Sequence, residues 1–309
     1  MNSFVSLMYH NVVEDGATFP ELSPSVTSYF VDRSTFAAHI QEMCLRGSCI
    51  DVESMKQFYA VDDKPNRAVS TGNAVQITFD DGWLGSIDLA GQILEGNGIQ
   101  GIVFITSDLV GCPHFVDEIQ LRRLKNQTIQ IGAHGKTHRM LNRLSEQEIR
   151  DELTQSKNYL EDVLGSCVDM LSIPGGATDD RVQSIAAEVG YEYIFTSEVH
   201  RNPHAYGARN IGRIAIRNTT KLSDVSRYVQ HNLRREQWRR GLLSVPKRML
   251  GRKLYAALRR RLLGETDGQR EMLDIREAGD ITQHRAENSD WLDNEILNLQ
   301  VTQPSQSAE

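Results

Sequence analysis

The chain has 309 residues, 39% of them hydrophobic and 24% charged, enough for one large domain or two smaller ones without a disulfide or metal staple. The formal net charge of −7 is less informative than its distribution. It is spread unevenly: residues 233–263 hold eleven Lys/Arg against Glu236 alone, for +10, while 1–232 carries −9 and 264–309 carries −8. Cys44, Cys49, Cys112 and Cys167 form no CxxC pair and are expected as reduced, partly buried thiols.

The N-terminal stretch MNSFVSLMYHNVVEDG lacks a basic n-region and a small-residue cleavage site, and its apolar run is too short for a signal core or a membrane span. The expected location is the cytoplasm. From there to about residue 230, β-rich runs at 4–10, 74–79, 101–106, 128–134, 168–173, 191–197 and 208–216 alternate with helix-like stretches near 34–47, 84–97, 145–164, 179–189 and 221–231. Ser145 and Glu148 spell a capping box, and Gly47, Gly165 and Gly190 stand where left-handed helix ends are needed. Such alternation implies parallel strands with right-handed crossovers, in a doubly wound sheet or a barrel. In either fold, function collects at the carboxyl ends of the strands. His10, Asp80–Asp81, His134 and Pro174 all fall at such ends.

The adjacent acids of QITFDDGW (76–83) gain a meaning beside GAHGKTH (132–138). His134 and His138, four apart, can face one ion if the segment curls. Two imidazoles and a carboxylate suit Zn²⁺ or a related divalent ion with open positions. One Asp can bind the ion while its neighbour takes a proton from water. Alone, HxxxH is commonly a surface coincidence and DDG a turn; their joint placement after two strands of one βα chain is what points to a metal site.

The order TFDDG (78–82), HxxxH (134–138) and Pro174–Gly175 resembles the polysaccharide deacetylases, the NodB-homology group or carbohydrate esterase family four, over roughly residues 4–230. LMYHNV and FAAHIQEMCLRG (36–47) look like the branch with an N-terminal Tyr-His strand and a following helix. The resemblance implies an irregular (β/α)₇ barrel of the NodB-homology type, with Asp80 as general base and Asp81, His134 and His138 as the metal triad. It also implies hydrolysis of a sugar N-acetyl group to acetate and an amine. The chain departs from the family pattern at three places. Ser172 stands where many members carry the Arg of Arg-x-Pro, Gly135 stands where Ser or Thr often follows the first metal His, and RIAIRNTT (213–220) replaces a Leu-x-His near the last strand.

The leaving amine needs a proton. His10 is the first candidate donor, against a plain hydrogen-bonded place in the barrel wall; His114, His200 and His204 lie in loops that could also reach. Tyr9, pointing opposite to His10, is expected in the core. Trp83 either stacks on a sugar or packs a helix. Pro174 and Gly175 form a turn that could approach substrate, and Arg213 either contacts substrate or pairs with a carboxylate.

Beyond 232 the alternation stops. Residues 233–263 read as a basic amphipathic helical segment with Leu250, Leu254, Leu258 and Leu262 in a stripe beside Trp238 and Tyr255; 264–309 reads as an acidic, flexible tail. The basic segment fits either docking on an anionic membrane or packing on the barrel, and nucleic acid less well. Three functions remain open: a sugar deacetylase using Zn (or Co, Ni or Mn) at the cytoplasmic membrane face, a hydrolase of a non-sugar C–N amide on the same fold, and a catalytically weak glycan-binding subunit.

Overall fold

The computed structural model describes residues 3–60, 73–124, 128–203 and 210–238. The greater part of the basic segment and the whole acidic tail lie outside the described residues. Seven parallel strands follow one another in space as in sequence: β1 (Ser3–Tyr9), β2 (Ala74–Phe79), β3 (Gly101–Ile105), β4 (Ile129–Ala133), β5 (Met170–Ser172), β6 (Tyr193–Phe195) and a divided β7. The first piece of β7, Asn210–Ile211, pairs with β6, and the second, Arg213–Ala215, pairs with β1, so the sheet closes on itself. At Gly212, where the strand changes neighbour, the buried Asn202 side chain accepts from the Gly212 N–H (2.8 Å) and donates to its carbonyl (2.9 Å). One amide replaces the missing ladder partner on both sides. The expected (β/α)₇ barrel is therefore present, and its closure depends on this one change of strand.

Seven helices of six residues or more cover the described strands: α1 (Arg33–Arg46), α2 (Val52–Ala60), α3 (Leu89–Gly96), α4 (Glu118–Arg123), α5 (Glu146–Leu164), α6 (Asp180–Val189) and α7 (Leu222–Val229). Strands covered on both faces lose the polar alternation of a half-exposed sheet, and every residue of β2 is buried. The period of two then divides the core instead. Val5, Leu7, Tyr9, Val75, Ile77 and Phe79 pack outward with Phe36, Ile40 and Met43 of α1. Their neighbours Phe4 and Ala74 join Ile102, Phe104, Met170 and Phe195 in a second cluster, closed by Met55, Phe58 and Tyr59 of α2. Ser6, Gln76, Thr78, Ser172 and Arg213 are also buried, so polar groups accompany this inner layer.

The Ser145 capping box is formed, and Gly165 (φ 66°) and Gly190 (φ 98°) end α5 and α6 in left-handed backbone. Gly47 ends α1 differently, with extended backbone (φ −145°); a Cβ there would stand 2.4 Å from the Asn73 carbonyl oxygen, so close approach rather than handedness selects glycine. The predicted helix at 84–97 is divided at Asp88. No helix among the described residues is long and apolar enough to cross a membrane.

Candidate active site

His10 follows β1, Asp80 and Asp81 follow β2, His134 follows β4 and Pro174 follows β5. In-register parallel pairing, with Tyr9 opposite Phe79 and Ile105 opposite Ala133, brings these ends to one mouth of the barrel. Asp81 itself sits at φ 77°, a region that only a few non-glycine residues adopt, and this turns the two successive carboxylates to different tasks.

Asp81 Oδ1 lies 3.4 Å from His134 Nε2 and 3.3 Å from His138 Nε2. The three ligand atoms lie within 4.8 Å of one another. The His134 Nδ1–H donates to the Ser172 carbonyl at 2.8 Å, which leaves the Nε2 lone pair facing Asp81. Asp81 Oδ1 is buried and takes no hydrogen bond from the described residues. A lone pair aimed at an orphaned carboxylate oxygen in a dry site is unfavourable unless a cation stands between them. Two ligands each ~2.1 Å from a tetrahedral ion would stand roughly 3.4 Å apart, so the spacing fits Zn²⁺ or a related divalent ion. Burial pushes the His138 imidazole down to about 4, a neutral form suited to ligation. Burial acts the same way on His134, but Asp80 and Asp81 outweigh it and raise that group above its ordinary value.

Asp80 faces the same cluster, its Oδ2 4.0 Å from His134 Nε2. Arg213 grips it with both arms, Nη1 to Oδ1 at 2.6 Å and Nη2 to Oδ2 at 2.8 Å. The same guanidinium, 0% exposed, also donates to Ser172 Oγ (2.7 Å), Thr78 Oγ1 (3.2 Å) and the Thr196 carbonyl (3.2 Å), and it lies over the Phe104 and Phe195 rings. Burial raises the Asp80 carboxyl, but Arg213 and His134 outweigh that and hold it below the usual carboxylate range. Arg213 is thus a carboxylate partner and not a substrate contact: it has no open surface. Ser172, standing where the family pattern has Arg, accepts a hydrogen bond from an arginine that arrives from β7 instead.

Trp83 does not stack on a sugar. It is 0% exposed, stacked on Phe115 and edge-on to Phe30, and its indole N–H donates to Asp81 Oδ2 at 3.0 Å. The indole thus fixes the oxygen of Asp81 that the two histidines do not face. Pro174 is likewise buried, under the His134–His138 loop, where a Cβ on Gly135 would stand 3.5 Å from its Cγ, so it supports the loop. Gly175 is exposed at the rim beside Met140. His10 packs its ring 4.2 Å from that of Tyr29, and its buried Nδ1 takes no hydrogen bond from the described residues. Burial lowers its pKa, with Asp81 and Asp80 opposing. His114 pairs with Glu21 (3.0 Å) and His200 Nδ1 meets the Arg201 carbonyl (2.9 Å); His204 lies outside the described residues. Tyr9 points into the core, as expected.

The sequence that builds this mouth of the barrel is recognisable in its own right. Residues 68–194, which supply Asp80, Asp81, His134, His138 and Ser172, match the family model described as polysaccharide deacetylase. Over that stretch, about two fifths of its length, the chain is similar to a class of hydrolases acting on carbon–nitrogen bonds other than peptide bonds. Among individual proteins, the Bacillus subtilis (strain 168) protein YxkH, provisionally named a polysaccharide deacetylase, is 24% identical over 211 residues, spanning 68% of this chain and 70% of the relative. The barrel is also that of the Streptococcus pyogenes deacetylase PplD, solved with acetate (TM-score 0.62, 21% identity, 74% of this chain and 98% of that one). IcaB from Ammonifex degensii shares it at TM-score 0.62 and 19% identity, covering 74% of this chain and 98% of that chain.

Proposed function

We propose that the chain is a metal-dependent deacetylase that hydrolyses N-acetyl groups of a saccharide, either an exopolysaccharide or a lipid-linked glycan intermediate. The observation that carries this reading is the juxtaposition of two carboxylates with separate partners, Asp81 facing two imidazoles and Asp80 clamped by Arg213. A divalent ion on Asp81, His134 and His138, with Zn²⁺ preferred over Co²⁺, Ni²⁺ or Mn²⁺, would supply Lewis acidity to water and to the acetamide carbonyl. Asp80 takes the proton of the attacking water. Arg213 keeps it ionised and fixes both oxygens, so no reorientation is needed as the proton arrives. His10 delivers a proton to the departing nitrogen, and the products are acetate and the free amine. Trp83 holds Asp81 in place, and Gly175 gives the sugar a side-chain-free edge to approach. The cytoplasmic face of an anionic membrane is the proposed setting; the eleven cations of 233–263, interleaved with leucine, support it.

Incubation with N-acetylglucosamine oligomers should release acetate, stop on chelation and resume on adding Zn²⁺ or Co²⁺. Asp80→Asn should lower turnover by about 10²–10⁴-fold while metal remains bound. Ammonia release from simple amides in place of acetate would shift the substrate class, and saccharide binding without turnover under every divalent metal would remove the enzymatic reading.

A further inference from the structure

The segment from His134 to His138 curls against α5, and one side chain of that helix receives most of it. Glu152 is 6% exposed, yet it forms none of the ion pairs seen among the described residues. An ionised carboxylate is rarely buried without compensation. Here the compensation comes from the loop itself. Glu152 Oε2 accepts from the Lys136 N–H (3.1 Å) and the Thr137 N–H (2.9 Å), and Oε1 accepts from the Thr137 hydroxyl (2.5 Å). Successive N–H groups converging on one anion form a backbone nest, and left-handed Gly135 (φ 74°) gives the turn that opens it. One α5 turn further on, Gln155 accepts from Lys136 Nζ (2.6 Å). On the opposite side, the Gly135 and Lys136 carbonyls accept from the Ser107 and Asp108 N–H groups at 3.2 and 3.0 Å. The three residues between the histidines are therefore held from both flanks.

We infer that Glu152 is a positioning residue of the metal site: it sets the curl that lets His134 Nε2 and His138 Nε2 share one ion with Asp81. This rests on the metal reading above. It explains how a loop with Gly135, which has no side chain to brace the turn, still holds two imidazoles within 3.4 Å of one carboxylate oxygen. The hydrogen-bond geometry of Glu152 matters, not its charge.

Two substitutions separate those factors. Glu152→Gln keeps the reach: its amide oxygen can take both N–H groups and its NH₂ can donate to the Thr137 hydroxyl. Glu152→Asp keeps the charge but withdraws the carboxylate by one methylene. The measurement is Zn²⁺ and Co²⁺ titration of the full chain by calorimetry, with the Co²⁺ visible spectrum reporting ligand geometry and a thermal melt reporting folding. The expected result is metal affinity within about threefold of wild type for Glu152→Gln, and a loss of about 10–100-fold with an altered Co²⁺ spectrum for Glu152→Asp. Wild-type affinity and spectrum in Glu152→Asp would overturn the inference, as would an equal loss in a folded Glu152→Gln. A wild-type chain that binds neither metal would instead remove the metal reading beneath it, whatever the variants do.

Discussion

At the scale of single residues, the site is organised by pairs in which each member decides the state of the other. Asp80 and Asp81 are neighbours in sequence but have different partners, a guanidinium for one and two imidazoles for the other. Arg213 has every arm engaged, and this makes it poorly replaceable. Lysine would keep the positive charge but lose the two-point grip and the bonds to Ser172 and Thr78. Arg213→Lys should therefore lower kcat by roughly 10²-fold with a smaller change in KM, while Arg213→Ala, which strands a buried carboxylate, should also lose about 3–5 kcal/mol of folding stability in urea titrations. Full kcat in a folded Arg213→Lys protein would show that Asp80 does not depend on the clamp. The acid pair and the histidine pair were legible because each is a short motif at a strand end. Arg213 was ambiguous because it lies 133 residues from Asp80, and a sequence gives no distance between remote positions. Trp83 and Pro174 stay open between substrate and packing in the sequence for a related reason: adjacency to a motif does not say on which side of it a side chain ends up.

At the scale of elements, β1 and α1 show how a buried polar contact ties wall to helix. The Tyr9 hydroxyl meets His39 Nδ1 at 3.2 Å, and burial pushes the His39 imidazole down to about 4. The neutral ring is the folded form, so protonation favours the unfolded chain. Stability contributed here is complete above about pH 6.5 and is lost as pH falls towards 4, on the order of 3 kcal/mol in all. His39→Gln, compared with wild type by urea midpoints at pH 7.5, 6 and 5, should flatten this slope; parallel slopes in the two proteins would assign the acid sensitivity elsewhere. Asp80, also held low, contributes stability that is lost only at more acid pH, below the ordinary carboxylate value. The seven strands were read close to their observed bounds since continuous apolar runs bounded by polar ends mark parallel strands. α2 and α4 escaped: they are nine and six residues long, and helices that short are stabilised by what they pack against and not by their own pattern.

For the whole molecule, the barrel concentrates titratable chemistry at one mouth, while charge in the sequence is concentrated past the barrel's end. Trp238, 73% exposed, is the last described residue before the main run of cations. If 233–263 docks on membrane, the full chain should co-sediment with vesicles containing anionic phosphatidylserine, far less with pure phosphatidylcholine, and the bound fraction should fall steeply with salt. A chain ending at residue 238 should lose most of that binding; equal sedimentation of both chains would place the membrane contact outside the basic segment.

Periodicity by itself determined the alternation of strands and helices, hence parallel strands in a doubly wound sheet or a barrel, and the motifs set the acid pair and the histidine pair at strand ends, because burial patterns and short-range spacing are written locally in the chain. Only the tertiary structure decided which arginine serves Asp80, that Trp83 faces inward, and that Glu152 receives the His134–His138 loop. Those contacts join residues brought together by closure of the barrel and by helix packing, and neither step leaves a local trace in the order of the amino acids.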